Sequence, residues 1–329
     1  MLPAVSNPTP PQDPSPSPST SRRQVWRVHA GASLQPVERA LERRFPSWSR
    51  DHIAKLLRQE RVLVGGQPAQ RGHRLSGGER LEVLPPPKGP RTYLANRRIR
   101  PTLLHQDAHV LAVAKPPGLA MHPGPGHGSD TLLNGLLATH GEELGHLGEE
   151  RGYGLVHRLD RDTSGVVLVA LTEAAYDSLR DQFARRVVEK VYLALASGQP
   201  RESHLILSTR VEGREATTDV TVLERFGDCA LTELKPLTGR THQLRIHLAA
   251  AGHPVVGDLR YGPRRPPEHP LRRLGLGRMF LHAARLTCTH PATGEPLTVE
   301  ARPPRDLRRA LSRLRRRAAG SSRPGTPEP

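Results

Sequence analysis

The chain has 329 residues, enough for two domains with separate cores. Lys and Arg number 49 against 32 Asp and Glu, and the resulting net charge of +17 suits a polyanionic partner, nucleic acid foremost. Two cysteines exclude a disulfide scaffold and a cysteine-built zinc site. No run of about 18 apolar residues is present to span a membrane, and the first residues lack a secretory layout. A reduced cytoplasm is the expected location. An aromatic content of 3% argues against a sheet that stacks many single-stranded bases.

Residues 1–20 are rich in Pro and Ser and are predicted to be disordered. Residues 21–86 read as one compact unit. In SLQPVERALERRF the apolar residues Val37, Ala40, Leu41 and Phe45 recur at helical spacing. SRDHIAKLLRQE predicts a second helix, with Ser49 as its cap and Asp51 favourable in its first turn. Ile53, Leu56 and Leu57 then share one arc of this helix, and Arg50, Lys55 and Arg58, with nearby Arg61, share another. One face packs and the other can meet phosphates. RVLVGGQPA predicts strand, Gly65–Gly66 turn and strand, and RLSGGERLEV a further strand. The stretch resembles the S4 RNA-binding domain, two short helices followed by a small sheet with a basic face. Where that family usually reads Val-Asn-Gly, this chain has Val64-Gly65-Gly66, which keeps a permissive turn. The resemblance implies RNA contacts at Arg50, Lys55, Arg58 and Arg61.

A proline-rich break, LPPPKGPRTY, opens a semi-rigid linker over residues 87–100. From 101 to 305 strands and helices alternate. HVLAVAK reads as a buried strand, and DTLLNGLLATHG as a helix capped by Asp130. GVVLVAL is a strand and TEAAYDSLRDQFARR a helix; VEKVYLALAS, TTDVTVLERF, CALTELKPL and MFLHAARLTCTH supply further strands. Strands outnumber helices and several follow one another directly. That predicts an α+β domain with a mixed or antiparallel sheet rather than a doubly wound one. Residues 306–329 begin as a basic helix and end as a polar tail, suited equally to solvent and to RNA.

The chemistry concentrates in HRLDRDTSGV, where Asp160 and Asp162 are threaded between arginines ahead of an apolar run. Alone, these residues predict only a turn. They stand, however, with AKPPGLAMHPGPGHGSDTLLNGLL, EKVYLAL, LKPLTGRTHQLRIHLAAAGHPVVGDLRYG and FLHAARLTCTHPATGEPL. In these five stretches, taken in order, the chain resembles the RNA pseudouridine synthases that join an S4 domain to a catalytic domain carrying HRLD-x-x-[ST]-[ST]-G. The resemblance covers all but the two tails.

It implies that Asp160 is the catalytic aspartate, with Asp162 part of the turn presenting it. It further implies that Arg158 occupies the space left by an extruded uridine, that Tyr192 lies against the uracil ring, and that Arg245 pairs with Asp160. The reaction breaks the C1′–N1 bond and joins C1′ to uracil C5 with no redox change, so no cofactor is expected. An adjacent arginine would keep the carboxylate ionised, and extruding the nucleotide costs a few kcal/mol of unstacking. His122, His127, His242 and His247 raise the question of a metal, but no HExxH or cysteine cluster accompanies them. PGPGHGS lacks the Gly-Lys-Ser/Thr ending of a phosphate loop. The expected partner is structured RNA, ribosomal RNA ahead of transfer RNA, with no membrane and no obligatory protein partner. The rival readings are a non-catalytic RNA-binding assembly factor and a hydrolase using Asp160 and Asp162 as a carboxylate pair.

Overall fold

The computed structural model describes residues 23–29, 34–46, 48, 50–84, 93–124, 127–262 and 274–321. The expected disordered stretch 1–20, the Ser49 cap and residues 87–92 of the expected linker lie outside these residues. The chain divides into two compact units, residues 1–89 and 90–329.

The first unit contains β1 (Gln24–Arg27), β2 (Gln35–Pro36), α1 (Val37–Arg44), α2 (Arg50–Arg58), β3 (Val62–Val64), β4 (Gln67–Pro68), β5 (Arg74–Leu75) and β6 (Arg80–Val83). Four strands form an antiparallel sheet in the order β1-β6-β3-β4, and β2 pairs with β5. The two helices follow from their apolar spacing. Val37 and Leu41 of α1 and Ile53 and Leu56 of α2 are buried with Leu75 and Leu81 in one core, which Trp48 closes by stacking on Phe45. The Gly65–Gly66 turn uses positive φ at both positions, the conformation that suits a tight hairpin. RLSGGERLEV supplies two strands rather than one, broken at the Gly78 turn.

The second unit contains β7 (Thr102–Gln106), β8 (Val110–Lys115), α3 (Leu132–Leu137), α4 (Gly141–Leu147), β9 (Ser164–Ala170), α5 (Glu173–Arg185), β10 (Glu189–Ser197), β11 (His204–Ser208), β12 (Thr217–Phe226), β13 (Cys229–Pro236), α6 (Gln243–Ala250), β14 (Leu281–Thr289), β15 (Pro296–Glu300) and α7 (Arg305–Ser321). Its nine strands make one sheet, ordered β11-β12-β13-β10-β14-β9-β8-β7, with β15 added on β14. The β14–β9 pairing is parallel and the others are antiparallel. The architecture is α+β with a mixed sheet, as the strand-rich pattern implied.

Both faces of this sheet are covered, which explains why its central strands read as unbroken apolar runs. Every residue of β9 is buried. Val113 and Val167 pack with Leu132, Leu136 and Leu144 of α3 and α4, while their neighbours Ala112 and Val166 pack with Ala175 and Leu179 of α5. Likewise Ala194 of β10 joins the layer of Leu244 and Leu248 from α6, and the adjacent Leu195 joins that of Leu307 and Leu311 from α7.

Three sequence expectations need correction. The cap of α3 is Thr131, not Asp130: the Thr131 side chain and Asn134 satisfy one another's backbone N–H groups in a capping box, whereas Asp130 meets His127 Nδ1 at 2.9 Å. Residues 93–100 belong to the second unit rather than to a linker, because Asn134 Nδ2 donates to Leu94 O at 2.6 Å and Tyr93 packs edge-on against Tyr153. Residues 306–321 are no tail. Leu307, Ala310, Leu311 and Leu314 form the apolar stripe that seats α7 in the core.

Candidate active site

The motif HRLDRDTSG forms a turn that several buried groups hold in place. Thr163 N–H donates to Asp160 O at 3.1 Å, closing the turn that projects Asp160 into a cavity of about 520 Å³. Lys115, 1% exposed at the end of β8, donates through Nζ to Pro116 O, Leu119 O and Arg161 O at 3.0, 2.8 and 2.9 Å. Burial pushes this ammonium down to about 7, while Asp162 and Asp160 push it back up. Its three N–H donors match three carbonyls. Arg278 donates to Asp162 O and Ser164 Oγ and pairs with Asp306 at 2.8 Å, while Ser164 Oγ also meets His282 Nδ1 at 3.0 Å. Gly165, at φ +128°, lies where β9 meets β14, and a Cβ there would run into the backbone of Ala283. The motif needs glycine because two backbones touch.

The structure brings Asp160, Tyr192, Arg245 and Arg158 together as lining of one cavity. Arg245, on α6, donates from one terminal nitrogen to Asp160 Oδ2 at 3.0 Å. Its Nε and other terminal nitrogen reach the carboxylate of Asp258 at 2.6 and 2.8 Å. Asp258 has no side-chain exposure, and it also accepts the backbone N–H groups of Arg260 and Tyr261 at 2.9 and 3.1 Å. Burial opposes this carboxylate's charge, yet the bonds from Arg245 and the two N–H groups hold its pKa below the ordinary value. The guanidinium is therefore fixed from behind before it meets Asp160. Tyr192 stands at a bulge of β10; burial, and then the Asp160 charge, raise its phenol, so it stays a neutral donor. Arg158 is exposed at the cavity and makes no ion pair among the described residues.

Four contributors were not assigned from sequence. His242, with left-handed backbone at φ 55°, ψ 17°, places Nε2 3.6 Å from Asp160 Oδ1, and Tyr261 OH bonds its Nδ1 at 3.0 Å. Asp258 and Tyr261 both come from HPVVGDLRYG, a stretch rich in turn formers whose GD-x-x-YG spacing was the available signal. Lys115 hid inside an apolar strand. Of the other histidines, His247 bonds Thr218 Oγ1 and Thr209 O and is structural.

Elsewhere among the described residues, His105, Asp107 and His290 cluster closely enough to suit a metal ion. Their atoms are already hydrogen-bonded, with His105 and His290 Nε2 at 2.6 and 3.0 Å from Asp107 Oδ2. His290 Nδ1 faces the N–H groups of Ala292 and Thr293, so its proton sits on Nε2 toward Asp107. The cluster reads as a pin between two turns.

In the first unit, Arg50, Lys55 and Arg58 are exposed on α2, and Arg50 also meets Glu42 at 3.1 Å. Arg61 is corrected. It is 8% exposed and donates from Nε and a terminal nitrogen to Leu84 O at 3.1 and 2.8 Å, a clamp on the end of β6 rather than a group able to reach RNA.

A profile of the RNA pseudouridylate synthase family matches residues 109–250. A ribosomal large subunit pseudouridine synthase D of Xanthomonas campestris is 35% identical over 94% of this chain and 97% of its own. The chain belongs to the RNA pseudouridylate synthase family. Among other members, a ribosomal large subunit pseudouridine synthase C of Escherichia coli is 34% identical over 88% of this chain and 95% of its own. A solved human structure, RNA pseudouridylate synthase domain containing 4, superposes with a TM-score of 0.52 at 28% identity, covering 65% of this chain and 93% of that one. As a pseudouridine synthase the chain is an isomerase of RNA, and no helix among its described residues is long and apolar enough to cross a membrane.

Proposed function

We propose that this pseudouridine synthase isomerises uridine in large-subunit ribosomal RNA in the cytoplasm, with Asp160 as its catalytic carboxylate. The observation that carries the reading is Asp160 held at 3.0 Å by an arginine that is itself locked by a buried aspartate, at the wall of a cavity able to take one nucleotide. The relatives being ribosomal large subunit synthases supports ribosomal RNA over transfer RNA.

In this reading Asp160 attacks the sugar or base, or takes a sugar proton, as the C1′–N1 bond breaks. The base turns and C1′ joins C5 as the bond to Asp160 breaks or the sugar proton returns; the hydrogen on C5 leaves to water, and N1 takes a proton. Tyr192 lies against the uracil, and Arg158 fills the gap left in the stack. Arg245 holds Asp160 aimed into the cavity. Arg50, Lys55 and Arg58 of the S4-like first unit hold flanking phosphates. No cofactor enters the scheme.

Ribosomal RNA transcribed with C5-tritiated uridine should release tritium to water, with an unbroken chain and no free uracil. Asp160→Asn should abolish release while RNA affinity stays nearly intact. Free uracil would mean a hydrolase, release from transfer RNA alone would move the substrate, and silence on both would leave a binding factor.

A further inference from the structure

The cavity that holds Asp160 carries more positive charge than its chemistry uses. Besides Arg158 and Arg245 it is lined by Arg186 at the end of α5, Lys190 at the start of β10 and Arg240 ahead of α6. Among the described residues none of these three forms an ion pair, although ion pairs are frequent elsewhere, as between Arg185 and Asp181 on the exposed face of α5. The guanidinium Nε of Arg240 is buried with no partner, while its backbone N–H is tied to Gln243 Oε1 at 3.1 Å. Gln243 is itself bonded to Thr238, Thr217 and Thr218, so a firmly held loop presents an unused donor.

Arg186 adds an independent observation. It ends α5 in the left-handed conformation, φ 64° and ψ 27°, the place where helices ordinarily use glycine. An arginine there strains the backbone, and strain of this kind is retained where the side chain has work to do. Its charge also lies close enough to Lys190 to lower that ammonium, second to burial. Like charges gathered without a counterion destabilise the free protein and are relieved by an anion.

We propose that Arg186, Lys190 and Arg240 form an anion seat for a backbone phosphodiester beside the extruded nucleotide, a proposal that rests on the RNA reading above. The seat anchors the strand next to the cavity while Asp160 works on the neighbouring sugar.

The test is retention of transcribed large-subunit ribosomal RNA by the full chain across a salt series, which needs no turnover. Arg186→Gln, Lys190→Gln and Arg240→Gln should each lower affinity and flatten the dependence of log K on log salt by about 0.7 to 0.9. Arg185→Gln, equal in charge loss but outside the cavity, should not. Arg186→Gly supplies the decisive contrast. Glycine relieves the left-handed backbone, so its thermal midpoint should rise while RNA affinity falls; a purely structural arginine would leave affinity unmoved. Lys190→Arg should restore the slope. Slopes in the three cavity variants equal to that of Arg185→Gln would overturn the seat. If tritium release persists in the wild-type chain at the same time, the synthase reading stands and only this inference fails. RNA retention without tritium release would sink the synthase reading and leave the seat.

Discussion

Replacing Arg245 by alanine strips donors from two carboxylates at once, and the two consequences can be measured apart. Asp160 loses its 3.0 Å partner and Asp258 loses bonds of 2.6 and 2.8 Å. Asp160 keeps 20% side-chain exposure and can turn to water, whereas Asp258 has none and retains only two backbone N–H groups. Stranding that buried charge should cost about 3–5 kcal/mol of stability. Asp258→Asn leaves Arg245 tied to Asp160 alone and should cost about 2–4 kcal/mol. The double variant holds neither buried charge, so its loss should fall short of the sum by about 2–3 kcal/mol. Activity should behave as one unit: Asp258→Asn slows tritium release by roughly 10- to 100-fold alone and adds nothing in the Arg245→Ala background. Urea unfolding of the four proteins at pH 7 and tritium release from the same preparations give both cycles. Additive stability losses, or wild-type release from Asp258→Asn, would refute the claim that Asp258 acts through Arg245.

Three further outcomes are expected. His157 accepts Leu168 N–H at 2.9 Å, and burial, aided by Lys190, pushes its imidazole down to about 3. Its folded pKa lies below the unfolded 6.5, so the stability it contributes is complete above pH 6.5 and lost as pH falls toward 3, about 3 kcal/mol by pH 4.5; His157→Gln should flatten that dependence in urea unfolding. Neutralising Lys55 and Arg58 together should flatten the salt dependence of RNA retention by up to about 1.8, while Arg61→Gln should leave it unchanged and lower the thermal midpoint. Gly165→Ala forces a methyl against Ala283, so calorimetry should show a loss of about 2–4 kcal/mol, with tritium release falling further than stability alone explains.

Periodicity and motif carried the reading a long way. The buried strands β8 and β9 were visible as apolar runs because helices cover both faces of their sheet. The short exposed strands β7 and β11 were not, since Leu103 and Ile206 face outward and their polar neighbours resemble loop. Asp160, Tyr192 and Arg245 were legible through a family resemblance rather than through their own surroundings. Asp258 and His242 escaped because their roles exist only in space, 13 residues and 3.6 Å from the groups they serve. Arg61 was misplaced for the opposite reason: helical phase predicts direction within α2, and Arg61 lies beyond its end.

The bridge through Arg278 has a bearing on synthesis. The loop bearing Asp160 is written at the middle of the chain, yet one of its fastenings runs from Asp162 through Arg278 to Asp306, in the first turn of α7. A nascent chain halted before residue 306 already contains every side chain assigned to the cavity, but it lacks the carboxylate that anchors Arg278. That fastening of the loop is thus completed only once translation passes that point. A ribosome making this protein adds the last layer of the core, the α7 stripe, and the anchor of the working loop together.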